Sequence, residues 1–97
     1  MIYDWDKNKA ETNLKNHQVS FEEATLVFED LFALEQFDDA HSTFDEQRLT
    51  RLGLANDKVL LVVYTMRGKT DEVYRLISAR FANKIEEKTY WVERYGK

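Results

Sequence analysis

Apolar positions recur along this chain with two periods, helical near both ends and alternating in between. Asp6 is placed to cap a helix over about Lys7 to Asn16, with Ala10 and Leu14 as a thin apolar stripe. Lys9, Asn13 and His17 fall at i, i+4 and i+8, so they line one polar face of that helix. Ser20-Phe21-Glu22-Glu23 is a capping box, with Val19 and Ala24 at the staple positions. The helix it opens, to about Glu29, buries Phe21, Ala24 and Phe28. Leu31 to Phe37 reads as extended, and Asp38 to Phe44 is polar and turn-like.

Glu46 to Ala55 alternates, with Arg48, Thr50, Leu52 and Leu54 on one face and Leu49 and Arg51 on the other. Asn56-Asp57 marks a tight turn into Val59 to Tyr64, which is apolar on both faces as a central strand is. Arg67-Gly68-Lys69-Thr70 makes the next turn. Val73 to Ala79 is a fourth strand, with Tyr74, Leu76 and Ser78 on one face and Arg75 and Ile77 on the other. Strict alternation puts Arg75 and Arg80 on opposite faces, so Arg80 is expected just past the strand end, free to swing to either side. Asn83-Lys84-Ile85-Glu86 caps a last helix reaching about Arg94, packed through Ile85 and Val92 with Trp91 or Tyr95 beside them.

Short turns between strands imply an antiparallel meander. Helices outside the run of strands imply an α+β layer fold. The expected architecture is two N-terminal helices, a four-stranded antiparallel meander sheet and a C-terminal helix, in a single domain over residues 1–97.

Composition narrows the chemistry. There is no cysteine, hence no disulfide or thiolate metal site, which suits a reducing cytoplasm. The polar start, Met1-Ile2-Tyr3-Asp4-Trp5-Asp6, does not read as a signal peptide. The longest apolar run, Val59 to Tyr64, is far short of the ~20 residues of a membrane span. The net charge of −4 hides an asymmetry. Residues 1–47 carry 12 acidic side chains against 3 lysines, net −9, and residues 48–97 carry 6 acidic against 11 basic, net +5. Such a split points to separate binding surfaces, unless folding intermixes the charges in space.

The two histidines, His17 and His41, form no short-spaced motif with carboxylates, so neither a metal nor another cofactor is expected. The arginines stand out instead. Arg48, Arg51, Arg67, Arg75 and Arg80 all lie on or beside the expected sheet. An arginine among apolar neighbours must pair with an acid, reach outward or meet an anionic ligand. For each one alone an internal carboxylate partner such as Glu46 is the simpler reading. Five across adjacent strands make a phosphate-facing surface, because guanidinium groups grip phosphate bidentately. His17, at a helix end, is either a cap or a proton carrier. Lys9 and Asn13 beside it are either donors to an anion or a solvated face. Tyr90, off the expected apolar stripe, is a candidate for stacking on a base or an ordinary surface tyrosine.

Several segments together resemble one family. Trp5-Asp6, Lys9, Asn13, the run His17 with Val19-Ser20-Phe21-Glu22-Glu23-Ala24, and Val27-Phe28 with Asp30 are similar to the opening of the BrnT toxins. Glu46, Arg48 and Gly53 resemble their second strand. Leu61-Val62-Val63-Tyr64-Thr65 and Arg75-Leu76-Ile77-Ser78-Ala79-Arg80 with Ala82 resemble their last two. The resemblance implies a RelE-like fold and a ribonuclease toxin of a type II toxin–antitoxin system that cuts RNA without a metal. It implies a ribbon-helix-helix antitoxin as partner, through which alone DNA is reached. On that reading Arg75 and Arg80 contact the phosphate, Arg48 supports them, and His17 is the one apt general base or acid. Lys9, Asn13, Arg51, Arg67 and Tyr90 then contact the RNA.

Two departures stand out. Gln18 follows His17 where the family usually has glycine, which suggests a different helix closure. The last helix opens nearly neutral, with Lys84, Glu86, Glu87 and Lys88, where the family is often strongly basic. Weaker attraction for RNA follows, and with it an alternative reading: an attenuated, non-catalytic protein-binding module of the same fold.

Overall fold

A computed structural model describes residues 1–96. One mixed sheet of five strands runs in the order β1-β5-β4-β3-β2. The strands are β1 (Ile2–Asp4), β2 (Leu34–Phe37), β3 (Arg48–Ala55), β4 (Lys58–Arg67) and β5 (Val73–Phe81). The helices are α1 (Lys7–His17), α2 (Phe21–Ala24) and α3 (Lys84–Tyr95), with a 3₁₀ segment, Thr25–Glu29, continuing α2. No helix among the described residues is long and apolar enough to cross a membrane.

The α+β expectation agrees with this architecture, and four details are corrected. The sheet is not a four-stranded meander, because Ile2–Asp4 adds a fifth strand parallel to β5, with Ile2 opposite Val73 and Asp4 opposite Arg75. Three residues are too few to show alternation, so only docking reveals that strand. The helix expected through Glu29 changes at Thr25 to 3₁₀ geometry. Leu31 lies outside β2, at 95% exposed, because strand pairing starts only at Leu34 opposite Leu52. Arg80 lies within β5, paired with Leu61, and not past its end.

The two faces of the sheet carry different layers. Val19, Phe21, Ala24 and Val27 pack with Ala55, Leu60, Val62, Leu76 and Ala79 on the α1/α2 face. Gly53 allows this approach: a Cβ there would sit 3.0 Å from the Val27 Cβ and 3.1 Å from that of Ala33. On the opposite face α3 packs Tyr90, with Trp91 beside it, against Leu52, Val59 and Leu61. The expected face of α3 is therefore wrong, since Ile85 is 79% exposed and Val92 is exposed as well. Apolar residues occur on two sides of this helix, and periodicity could not choose between them. Phe81 also lies outside the core, 40% exposed under the Lys58 ammonium.

The helix ends follow their caps. Asp6 accepts from the amides of Asn8 and Lys9, and Ser20 accepts from that of Glu23. Asn83 and Glu86 form a reciprocal capping box. Gln18 closes α1 in the left-handed conformation, φ 57°, with its amide donating to the Leu14 carbonyl. The glutamine therefore adopts the closure that a glycine makes most easily.

Candidate functional site

The site is organised by an irregularity in β5. Val63 pairs with Ser78 but the next residue, Tyr64, pairs with Leu76, so Ile77 is an extra residue in the strand. A bulge of this kind moves every later side chain to the other face. Leu76 and Ala79 consequently both enter the core, and Arg75 and Arg80 both reach the α3 face. Arg48 lies on that face too, opposite Thr65, which is itself opposite Arg75. The expected separation of Arg75 from Arg80 is thus removed by one inserted residue. Arg51 is the exception. It pairs with Val62 on the α1/α2 face, donates to the Val27 carbonyl at 3.2 Å, lies 3.5 Å from Glu35 and stacks on Phe28.

Carboxylates hold the arginines of the α3 face. Glu46 bridges Arg48, at 3.3 Å, and Arg67, at 2.9 Å. Asp4 pairs with its parallel-strand neighbour Arg75. Glu86 receives both terminal nitrogens of Arg80, at 2.8 and 2.9 Å. The bidentate bond from Arg80 holds the Glu86 carboxyl below its ordinary range, against the opposing effect of burial. The same bond raises the Arg80 guanidinium.

The N-terminal helix runs beside the half of β5 that lacks a strand neighbour. Asn13, almost fully buried, donates from Nδ2 to the Ala79 carbonyl at 2.8 Å and accepts from its amide at 3.0 Å. It also donates to the Val19 carbonyl at 3.0 Å. These bonds dock α1 and occupy the amide, so the expected role of Asn13 as an RNA contact is replaced by a structural one.

Docking α1 creates two adjoining hollows. One, about 310 Å³, is lined by Asn8, Lys9, Thr12, Asn13, Asn16 and His17 of the helix and by Ile77 and Ser78 of the strand. The other, about 170 Å³, is lined by Lys9, Arg67, Arg75, Glu46, Asp6, Thr65, Leu76 and Ile77. Lys9 and Ile77 line both. None of the ion pairs among the described residues involves Lys9 or His17. The expected row Lys9, Asn13 and His17 therefore borders one groove, and that groove opens at Lys9 into an arginine pocket.

Tyr90 is a further correction. It is fully buried, its hydroxyl donating to Asp30 and accepting from Arg94 at 2.7 Å. Burial and the bond to Asp30 raise its ionisation above the ordinary range, and no face is left on which a base could stack. For Asp30, burial works upward, but bonds from Tyr90 and the amides of Leu54 and Phe32, with Arg94 nearby, hold it low. Sequence reading named Glu46 as an arginine partner, from its place two residues before Arg48, and missed Asp4 and Glu86.

Comparison with known proteins identifies the family and the fold. A family model described as the ribonuclease toxin BrnT of type II toxin–antitoxin systems matches residues 5–86, which include α1, β5 and the first turn of α3. A 1.1 Å crystal structure of the Brucella abortus ribonuclease toxin BrnT is similar to this chain at 28% identity and a TM-score of 0.66. The match covers 87% of this chain and all of the other. No curated relative matches the sequence.

Proposed function

The chain belongs to the BrnT family of ribonuclease toxins of type II toxin–antitoxin systems, and we propose from that premise that it cleaves RNA in the groove between α1 and β5. The observation that carries the reading is the Ile77 bulge, which sets Arg75 and Arg80 on one face, with Arg75 lining the hollow that adjoins the groove bordered by Lys9 and His17.

Cleavage needs no external nucleophile when the RNA supplies its own 2′-hydroxyl. The 2′ oxygen attacks the adjacent phosphorus, the bond from phosphorus to the 5′ oxygen breaks, and a 2′,3′-cyclic phosphate and a 5′-hydroxyl remain. The 2′ proton passes to a base, and a proton returns to the leaving oxygen. Between these steps the crowded phosphorus carries extra negative charge, which fixed cations stabilise. Arg75, Arg67 and Lys9 hold that phosphate in the smaller hollow, with Arg48 and Arg80 on the same face reaching the phosphates beside it. Arginine cannot take the 2′ proton, since its pKa lies far above neutrality. His17 takes it. This histidine lines the larger hollow, where it meets the ribose of the nucleotide held there. This chemistry is metal-independent.

The family implies an antitoxin partner. We assign it to the ribbon-helix-helix class, with DNA reached only through it, and place the system in the cytoplasm on a RelE-like scaffold, with residues 1–97 as one domain. The acidic first half, net −9 over residues 1–47, supports docking of a basic partner.

Purified protein incubated with RNA in EDTA should yield fragments ending in cyclic phosphate, and Arg75→Ala should make them appear about 100-fold more slowly. Intact RNA at high excess of folded protein would overturn the assignment. One observation favours a second reading, a non-catalytic binding module: Arg48, Arg67, Arg75 and Arg80 each already hold a carboxylate. Antitoxin binding with no RNA cleavage is the outcome that selects it.

A further inference from the structure

The larger hollow holds polar groups that phosphate chemistry does not use. Asn8, Thr12 and Asn16 recur at i, i+4 and i+8, a second row on α1 beside the row of Lys9, Asn13 and His17. Together with Ser78 they face the same space, and their side chains enter no hydrogen bond among the described residues. Ile77, the bulged residue, adds an apolar surface. Asn13 cannot shift to fill the space, because three hydrogen bonds fix its amide to Val19 and Ala79. The hollow is therefore preformed, roomy, apolar on the strand side and rimmed by carboxamides and hydroxyls.

This is the chemistry that recognises an unstacked base. A base face packs against an apolar surface, while carboxamide and hydroxyl groups offer both donors and acceptors to its edges. A charged ligand fits less well, since Lys9, at the junction, is the one lysine or arginine that lines the hollow. We propose that the α1/β5 hollow is a nucleobase subsite, taking the base on the 5′ side of the cleaved bond. Asn8, Thr12, Asn16 and Ser78 read its edge. The two helical rows then divide the work: Lys9 and His17 meet the sugar and phosphate, and Asn8, Thr12 and Asn16 meet the base. This inference rests on the cleavage reading for the position of the phosphate, though base binding is measured without cleavage.

The test uses 2′-deoxy dinucleotides, which lack the attacking hydroxyl, with each of the four bases on the 5′ side. They are titrated into isotopically labelled full-length protein by nuclear magnetic resonance. Amide shifts at Thr12, Asn16, Ile77 and Ser78 are expected, with affinities that differ between bases by about five- to tenfold, the worth of one hydrogen bond. Thr12→Ala with Asn16→Ala should flatten those differences and the base preference at sequenced RNA fragment ends. Shifts confined to Arg67, Arg75 and Lys9, or an unchanged preference in the double variant, would overturn the subsite. Base-dependent binding by a protein that leaves RNA intact would support the subsite and overturn the cleavage assignment.

Discussion

Asn13 and Ala79 are joined by two hydrogen bonds, Nδ2 to the Ala79 carbonyl at 2.8 Å and the Ala79 amide to Oδ1 at 3.0 Å. One side-chain amide thus satisfies both backbone groups of a strand residue, as a neighbouring strand would. A helix can therefore border a sheet edge without leaving buried polar groups unpaired. The groove beside β5 exists because of this pairing.

Replacing Asn13 by alanine strands both groups of Ala79 and the Val19 carbonyl. A buried group without a partner costs about 1–3 kcal/mol, and water reaching the gap recovers part of it. Asn13→Ala should destabilise the fold by about 3 kcal/mol in urea denaturation. A loss below about 1 kcal/mol would show that α1 is held by apolar packing instead.

Gln18 sits at φ 57°, where a Cβ is strained by roughly 1–2 kcal/mol and glycine is not. Glycine loses part of this advantage by its greater freedom in the unfolded chain. Gln18→Gly should raise stability by about 0.5–1 kcal/mol, read as a higher urea midpoint at unchanged slope. A lower midpoint would mean that the Gln18 side chain, which donates to the Lys15 carbonyl at 3.2 Å, matters more than its backbone.

The Arg80 and Glu86 pair fixes the sign of a pH effect. The carboxyl of Glu86 is held low in the folded state by Arg80. Its contribution is complete above the ordinary glutamate value and is lost as pH falls through the lowered folded value. Glu86→Gln should therefore cost stability at pH 7 and much less at pH 3. Equal costs at both values would mean that the bond to the Asn83 amide, which needs no charge, is the larger part.

His17 and Arg75 separate two steps of the reaction. A base works only when unprotonated, so wild-type cleavage should rise with pH on its acidic limb. His17→Ala should lower the rate and flatten that limb with little change in stability, since the side chain is exposed. Arg75→Ala should slow cleavage about 100-fold, the cost typical of one lost charge-stabilising donor, and leave the limb in place. An intact limb in His17→Ala would move the proton transfer to one of the carboxylates lining the arginine pocket, Glu46 or Asp6.

Local patterns determined much of this protein. The caps at Asp6, Ser20 and Asn83, the alternation of Arg48 to Ala55 and the apolar run of β4 follow from contacts within a few residues, and so does the row of Lys9, Asn13 and His17. The sequence also carried the family resemblance. Tertiary structure decided the rest, for reasons of side-chain competition over distance. The strand Ile2–Asp4 is too short to declare itself and forms only against β5. Tyr90 is buried because α3 turns that side to the sheet, although its other sides are also apolar. The Ile77 bulge depends on register with β4, which no local pattern reports, yet it alone brings Arg75 and Arg80 to one face. The acidic partners Asp4 and Glu86 were likewise fixed by folding, since a carboxylate finds its arginine only once the strands and α3 are packed.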